Sequence, residues 1–272
     1  MTLNTKRPFF VAFLLATLGL GGAAIAPRGT PSGSTLKFTV LYDNFASRAG
    51  TKADWGFSCL IEGADKTILF DTGAKPEILN HNVEALGVDL AKVDVVVLSH
   101  AHEDHTGGLP AVLGKKPGVR IMFPESFGTD FTDRVRRSGA DPRPVDRPTE
   151  ICRNVFLTGE MGVDIEEMAL ALDTPRGLVV VTGCSHPGIV PILKRVKEIR
   201  NRPIYLVFGG FHLMNASRAS IKDILAAFEE LGVERCGATH CTGDRQIALI
   251  KTKFGDRYVS MGTGRIIEIP GF

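Results

Sequence analysis

Four potential metal ligands lie close together in the segment that follows Leu98, namely His100, His102, Asp104 and His105. Imidazole and carboxylate groups suit a borderline ion such as zinc, and a catalytic zinc keeps one coordination position for water. His100 and His102 can converge on one ion, while Asp104 and His105 can reach a second. Because one ion needs fewer ligands than this, the spacing predicts a binuclear site that activates a water between the ions.

Three further histidines stand where they can join the same site. His186, His212 and His240 each follow an apolar, strand-like run of the chain. His81 falls instead on a predicted helix, where a surface position accounts for it. Histidines that recur at strand ends favour a shared metal site over isolated core or surface positions.

The elements that position these residues are predicted from hydrophobic periodicity. Short apolar runs rich in β-branched residues and bounded by turn residues predict strands. They are Leu36 to Leu41, Phe57 to Ile61, Thr67 to Phe70, Val93 to Leu98, Arg120 to Phe123, Val155 to Leu157, Leu170 to Leu172, Leu178 to Val181, Ile204 to Phe208, Cys236 to Thr239 and Ile266 to Ile269. Helical periodicity is found at Pro76 to Leu86, Ile189 to Ile199, Ser220 to Leu231 and Arg245 to Phe254. This distribution predicts an α/β fold in which two sheets pack together with helices outside.

Five motifs of the chain resemble those of the metallo-β-lactamase superfamily. They are Phe70-Asp-Thr-Gly73, His100-x-His-x-Asp-His105, Thr182-Gly-Cys-Ser-His186, Gly209-Gly-Phe-His212 and His240-Cys-Thr-Gly243. The resemblance covers Leu36 to Phe272, and it is strongest to a branch that includes dihydropterin-methyl-ribofuranosylaminobenzene phosphate synthases. It implies an αββα sandwich of two mixed sheets with outer helices and with the metals at one edge of the sheets.

The resemblance also implies a ligand set for two divalent ions. His100, His102 and His186 would bind the first ion, and Asp104, His105 and His240 would bind the second. Asp71 would orient the ligands from behind, as ligand histidines generally require. Zinc is the expected metal, and iron and manganese also accept this ligand mixture.

One position departs from the superfamily pattern. A bridging aspartate is usual after a later strand, and the corresponding place here is Gly183-Cys184 or the vicinity of His212. A Cys184 thiolate would bind zinc well, although a cysteine at this position can equally be a packed core residue. Cys184 and His212 are therefore additional candidate ligands.

These ligands predict a metal-dependent hydrolase. A metal-bound hydroxide, held and oriented by Asp104, would attack an ester, lactone, thioester or phosphoester. Because this fold hosts many reactions, two alternatives remain: a transferase of the pterin branch, and a non-catalytic metal-binding sensor.

The first 34 residues differ in composition from the rest. Lys6 and Arg7 precede an uncharged, largely apolar stretch from Pro8 to Ala26 that ends in small residues. This order is typical of a signal peptide over residues 1–26, with an uncleaved membrane anchor as the alternative. Residues 27–34 would form a spacer before a domain at 35–272, and the protein would be exported to the periplasm or secreted.

Charge and cysteine content exclude other classes of protein. The chain has 32 basic and 30 acidic residues among 272, so a nucleic-acid partner is not expected, and a membrane partner is expected only through an uncleaved anchor. Its five cysteines are an odd number, and a core of this size needs no disulfide framework.

The segment Glu125 to Glu150 is predicted to be a mobile rim over the metal site. It contains glycines and prolines, and a long connection of this kind is often a binding loop. Since arginine pairs readily with carboxylate or phosphate, the rim would favour a small anionic substrate. Its arginines are Arg134, Arg136, Arg137, Arg143 and Arg147.

Overall fold

The computed structural model describes residues 1–3 and 34–272. Within these residues the strands are β1 (Leu36–Tyr42), β2 (Ser58–Glu62), β3 (Ile68–Phe70), β4 (Val95–Val97), β5 (Arg120–Pro124), β6 (Asp141–Val145), β7 (Thr149–Cys152), β8 (Val155–Leu157), β9 (Leu170–Thr174), β10 (Gly177–Thr182), β11 (Ile204–Gly210), β12 (Arg235–Thr239) and β13 (Ile266–Ile269). The helices are α1 (Pro76–Leu86), α2 (Glu103–Thr106), α3 (Leu109–Lys115), α4 (Gly128–Arg137), α5 (Ile189–Ile199), α6 (Arg218–Glu230) and α7 (Asp244–Phe254).

The strands form two mixed sheets. The first has the order β13-β1-β2-β3-β4-β5-β6, and the second has the order β12-β11-β10-β9-β8-β7. Strands β3 to β6 are parallel to one another, as are β10 to β12. In parallel strands the carboxyl ends share one edge of the sheet, where binding sites are usually built.

The core between the sheets follows from alternation along the strands. Leu36, Phe38 and Val40 of β1 point to the inner face, where Phe38 packs edge-on against Phe208 of β11 at a ring distance of 5.6 Å. The side chains that alternate with these point to the outer face, where Leu41 of β1 and Leu69 of β3 share a cluster with residues of the outer helices. Each sheet is therefore apolar on both faces, which is the pattern that an αββα sandwich requires.

Helices cover the outer face of each sheet. Leu79 and Val83 of α1 belong to the outer cluster of the first sheet, and Leu193 of α5 belongs to that of the second. Helix α1 begins at Pro76 and ends before Gly87, which has a φ of 67°. The predicted αββα sandwich is confirmed. The predicted boundaries of α1 and α5 are also confirmed, whereas those of α6 and α7 differ by one or two residues.

The prediction of a mobile loop at Glu125 to Glu150 is wrong. This segment forms α4, β6 and the start of β7. An apolar residue recurs every four positions, at Phe127, Phe131 and Val135. The rings of Phe127 and Phe131 pack on Phe123, and all three residues belong to the outer cluster of the first sheet.

Prolines within β6 obscured the strand in the sequence. β6 is an edge strand that pairs only with β5, and Asp141 donates its backbone N–H to Val119. Because backbone N–H groups alternate in direction along a strand, the positions of Pro142 and Pro144 face away from β5, on the open side of the sheet. No N–H is needed there for pairing, so prolines are tolerated.

The predicted signal segment at 1–26 and the spacer at 27–34 lie almost wholly outside the described residues. No helix among the residues described is both long and apolar enough to cross a membrane. The described residues from Ser34 onward form one compact unit.

Candidate metal centre

The candidate ligands meet at the edge where the carboxyl ends of the parallel strands converge. Asp71 follows β3, and His100 follows β4 in the first sheet. His186, His212 and His240 follow β10, β11 and β12 in the second. The two sheets therefore each supply one side of the site.

The first sheet supplies a group of histidines around the short helix α2. Nε2 of His100 lies 3.1 Å from Nδ1 of His102, and the His100 and His105 rings are 4.2 Å apart. Burial and the neighbouring histidines hold the pKa of His100 far below its ordinary value. His100 is therefore neutral, with a nitrogen lone pair free to bind a cation.

Asp71 fixes the orientation of this group. Its fully buried carboxylate accepts hydrogen bonds from Nδ1 of His105 at 2.7 Å, and from the backbone N–H and hydroxyl of Ser99 at 2.7 and 2.8 Å. The Ser99 hydroxyl lies 2.9 Å from Nδ1 of His100. Burial lowers the pKa of His105, but the charge and hydrogen bond of Asp71 outweigh it and raise the pKa to about 9. Asp71 thus lies behind two candidate ligands, and its role in orienting them stays a prediction.

The second sheet supplies His186 from a turn that a buried glutamate holds. Glu167 accepts the backbone N–H groups of Cys184, Ser185 and His186 at 2.8 to 2.9 Å. Ser185 has a φ of 65°, a conformation that needs such external support. Burial raises the pKa of Glu167 to about 7 against these hydrogen bonds.

His240 closes the site from β12. Its Nδ1 lies 2.9 Å from the side-chain oxygen of Asn44, and its Nε2 lies 3.2 Å from both Nε2 of His105 and Oδ2 of Asp104. Burial raises the pKa of Asp104, but the hydrogen bond from His240 and the charge of His105 hold it well below its usual range. Asp104 is therefore a carboxylate that faces two imidazoles.

Three groups of potential ligand atoms share one residue. Within each group the ligand atoms lie within 4.8 Å of one another, and Cys184 belongs to all three. The groups are Asp104, His105, Cys184 and His240; His100, Cys184 and His186; and Cys184, His212 and Cys241. Cys184 therefore lies between the two predicted sets of ligands.

The donor set fits a bound cation. Nε2 of His186 is buried without a hydrogen-bond partner, and such an orphaned lone pair suits a metal. Burial and the neighbouring His212 lower the pKa of His186 to about 4, which keeps this ring neutral. Hydrogen bonding with Cys241 and burial raise the pKa of the Cys184 thiol well above its ordinary value, so a thiolate there needs a neighbouring cation.

His212 belongs only to the third of these groups, and His81 belongs to none of them. His212 is exposed, with its ring 4.3 Å from that of His186. His81 lies on α1 and approaches the carbonyl of Gly50, away from the site as expected. All five cysteines are free in the structure.

The five predicted rim arginines do not form one surface over the site. Helix α4 connects the carboxyl end of β5 to the amino end of the parallel β6, so its last turn lies at the opposite edge of the sheet. That turn carries Arg134, Arg136 and Arg137. Arg143 pairs with Asp141 within β6, and Arg147 pairs with its neighbour Asp146.

Sequence reasoning missed Glu167, Ser99 and Asn44. Ser99 directly precedes His100, so its position between a strand and a ligand was a usable signal. Glu167 and Asn44 lie in stretches without a motif, and only the fold brings them to the ligands.

Comparisons with known proteins agree with this geometry. The family model of the metallo-beta-lactamase superfamily matches residues 56–183. The solved structure of Tm1679, described as a metal-dependent hydrolase of the β-lactamase superfamily, is 31% identical, covers 86% of this chain and 99% of its own, and superimposes with a TM-score of 0.74. The chain therefore belongs to the metallo-β-lactamase superfamily.

Two further relatives are informative. A 7,8-dihydropterin-6-methyl-4-(beta-D-ribofuranosyl)-aminobenzene-5'-phosphate synthase from Methanocaldococcus jannaschii is 29% identical over 78% of this chain and 89% of its own length. The metallo-beta-lactamase fold protein YhfI from Bacillus subtilis is 17% identical, with a TM-score of 0.63. The match covers 87% of this chain and 100% of the YhfI chain. The first likeness agrees with the branch resemblance of the sequence, and the second concerns the fold alone.

Proposed function

We propose that the protein is a hydrolase that holds two divalent metal ions, with zinc as the expected metal. The observation that carries this proposal is the presence of two sets of ligand atoms that share Cys184. One set adds His102 to His100 and His186, and the other comprises Asp104, His105 and His240. A single ion takes about four ligands, which is fewer than the six residues gathered here.

When bound, such ions supply a water-derived nucleophile at neutral pH and polarise the bond to be broken. The protein's own residues orient the reacting groups. The Asp104 side chain is partly exposed, so its carboxylate can accept a hydrogen bond from an incoming water. Asp71 and Ser99 hold the histidines behind it, which keeps this side of the site rigid during the reaction. An ester, lactone, thioester or phosphoester is a suitable substrate for this arrangement.

A transferase of the pterin branch is a second candidate. It is supported by the M. jannaschii synthase, since that likeness extends over 89% of the synthase. A signal peptide at residues 1–26 would separate this protein from cytoplasmic cofactor synthesis, and for this reason we rank the hydrolase first.

The test combines metal analysis with variants of the ligands. Purified protein should carry close to two equivalents of divalent metal and hydrolyse at least one ester, lactone, thioester or phosphoester in a broad panel. His102→Ala and Asp104→Ala should each lower kcat/KM on the order of 10³-fold or more, because both touch the metal site. His81→Ala should keep kcat/KM within a few fold of the wild-type value, because the His81 ring hydrogen-bonds with the Gly50 carbonyl and belongs to none of the ligand groups.

Two results would refute the hydrolase. Absence of bound metal after reconstitution would remove its chemistry, and equal losses in all three variants would remove the residue assignments. Turnover of a pterin substrate together with inactivity on the hydrolytic panel would favour the transferase.

A further inference from the structure

Exposed apolar side chains are concentrated beside the metal centre. In the described part of the domain, few large apolar residues are exposed, and among them Trp55 is 46%, Met214 51% and Val163 89% exposed. They come from three loops, which follow β1, β11 and β8 respectively. Scattered exposed apolar residues are normal, whereas residues from three loops that converge on one concave site indicate a binding surface.

Two adjoining cavities connect these residues with the ligands. A cavity of about 340 Å³ is lined by Gly162, Val163, Asp164, Ile165, His186, Pro187 and His212. A second, of about 310 Å³, is lined by Trp55, His212, Met214, Asn215, Ala216 and Cys241. His212 belongs to both, and His186 is a predicted metal ligand, so the cavities form a mouth that leads to the site.

Trp55 extends this mouth over the second ligand set. Its ring lies 4.9 Å from that of His240, with a tilt of 53° between the planes. A group bound against the indole would thus lie beside a metal ligand. Because the indole is half-exposed, it can bury apolar surface of a substrate at little conformational cost.

The side chains that line the mouth offer no basic partner for an anionic group on the substrate. Among the described residues that line the two cavities, none is lysine or arginine, and Asp164 carries a negative charge. The nearby Arg218 lines a different cavity between α6 and α7. A phosphate or carboxylate on the substrate would therefore meet no arginine or lysine in the mouth.

On the basis of the proposed hydrolase, we infer that the substrate is an uncharged ester, lactone or thioester with an apolar acyl or aryl group, which Trp55, Met214 and Val163 contact. For an ester, the oxygen of water bonds to the acyl carbon and the acyl C–O bond breaks. The products are a carboxylate, an alcohol and one released proton. The anionic substrate predicted from the rim arginines does not fit this mouth.

Matched esters of equal chain length test the preference for an uncharged substrate. The metal-loaded protein should hydrolyse 4-nitrophenyl hexanoate with a kcat/KM at least about tenfold above that for the 4-nitrophenyl monoester of adipic acid, whose far end is a carboxylate. Trp55→Ala should raise KM for the hexanoate about tenfold. Ile266→Ala is the matched control, since Ile266 is a similarly exposed apolar residue on the edge strand β13 and should leave the kinetics unchanged.

A charge introduced into the mouth gives an independent readout. Met214→Arg should shift the ratio of kcat/KM for the two esters toward the adipate by about tenfold, because the guanidinium can pair with the distal carboxylate. Equal turnover of both esters, or a ratio that neither Trp55→Ala nor Met214→Arg changes, would overturn the inference.

Fluorescence separates this inference from the proposed hydrolysis. The chain contains a single tryptophan, so its fluorescence reports on Trp55 alone. Saturation with 2-octanone, which is uncharged and cannot be hydrolysed, should change the intensity or wavelength of this emission. A fluorescence response without turnover of any ester would refute the hydrolase and retain the apolar mouth. No response would refute the apolar mouth.

Discussion

Two buried carboxylates, one on each side of the candidate metal centre, accept equivalent sets of hydrogen bonds. Asp71 accepts three hydrogen bonds from Ser99 and His105, and Glu167 accepts three from the turn that carries His186. Each carboxylate fixes the orientation of candidate ligands that follow the end of a strand. Asp71 was predictable because it lies in a recognisable motif, whereas the role of Glu167 depends on a contact between residues 17 to 19 positions apart in the chain.

Cys184 stands at the position where the sequence departs from the superfamily pattern. If its thiolate bridges the two ions, Cys184→Ala should lose about one equivalent of metal and most of the activity. Cys184→Asp should retain two equivalents, because a carboxylate can bridge in the same place. Metal analysis of both variants after identical reconstitution provides the measurement.

The neighbouring Cys241 supplies a matched control for this prediction. Both sulfurs are almost fully buried, yet of the two only Cys184 belongs to the groups that contain His100 or His105. In the cobalt-substituted protein, a thiolate-to-metal absorption band should disappear in Cys184→Ala and remain in Cys241→Ser. Retention of the band in Cys184→Ala would assign the metal contact to another residue.

At the scale of elements, the sequence was most informative where strands are buried on both faces. β4, β10 and β11 are largely apolar runs, and the candidate ligands His100, His186 and His212 follow their carboxyl ends. α4 and β6 were missed because a polar helix with one apolar residue per turn, and an edge strand with two prolines, resemble a loop in the sequence. The register of the strands depends on tertiary packing, so the sequence does not predict it. The contact of Glu167 with His186 follows from that register and was missed for the same reason.

The loop at residues 162–166 is the element that places Val163 at the mouth. Two backbone hydrogen bonds between Met161 and Glu167 close it, at 3.0 and 2.8 Å. Gly162 has a φ of 106°, and a Cβ there would lie 2.6 Å from the carbonyl oxygen of Ile165. Only glycine therefore fits the observed loop.

Gly162→Ala should consequently distort the mouth while the sandwich remains folded. We expect kcat/KM for an apolar ester to fall about tenfold, with a loss of roughly 1–3 kcal/mol in the stability of the loop conformation alone. Steady-state kinetics and thermal unfolding of the same preparation test this. Gly232→Ala is the control. Gly232 also has a positive φ, but a Cβ added there would meet no atom within 4 Å. The activity of this variant should therefore stay within about twofold of the wild-type value.

At the scale of the whole molecule, the two sheets form one core and the site lies at its edge. Among the described residues, Ser34 makes contacts at the start of this domain. Its hydroxyl donates to the carbonyl of Gly63 at 2.6 Å, and its carbonyl accepts the N–H of Phe272 at 2.9 Å. The charge balance and the cysteine count argued against other classes of protein, and the strand pattern predicted the layers of the fold. Neither could predict the apolar mouth, because Trp55, Val163 and Met214 are far apart in the sequence and share no motif.

Export is the property of the whole chain that we propose from its first residues. Lys6 and Arg7, the apolar stretch up to Leu20 and the small residues up to Ala26 are the successive parts of a secretory signal. Alkaline phosphatase, which is active only after export, should be active in a bacterial host when it is fused after Ser34. The substitutions Leu14→Arg and Leu15→Arg should abolish this activity, since two charges interrupt the apolar stretch. A wild-type fusion whose reporter stays inactive, while a cytoplasmic reporter at the same site is active, would place the protein in the cytoplasm and strengthen the case for the pterin-branch transferase.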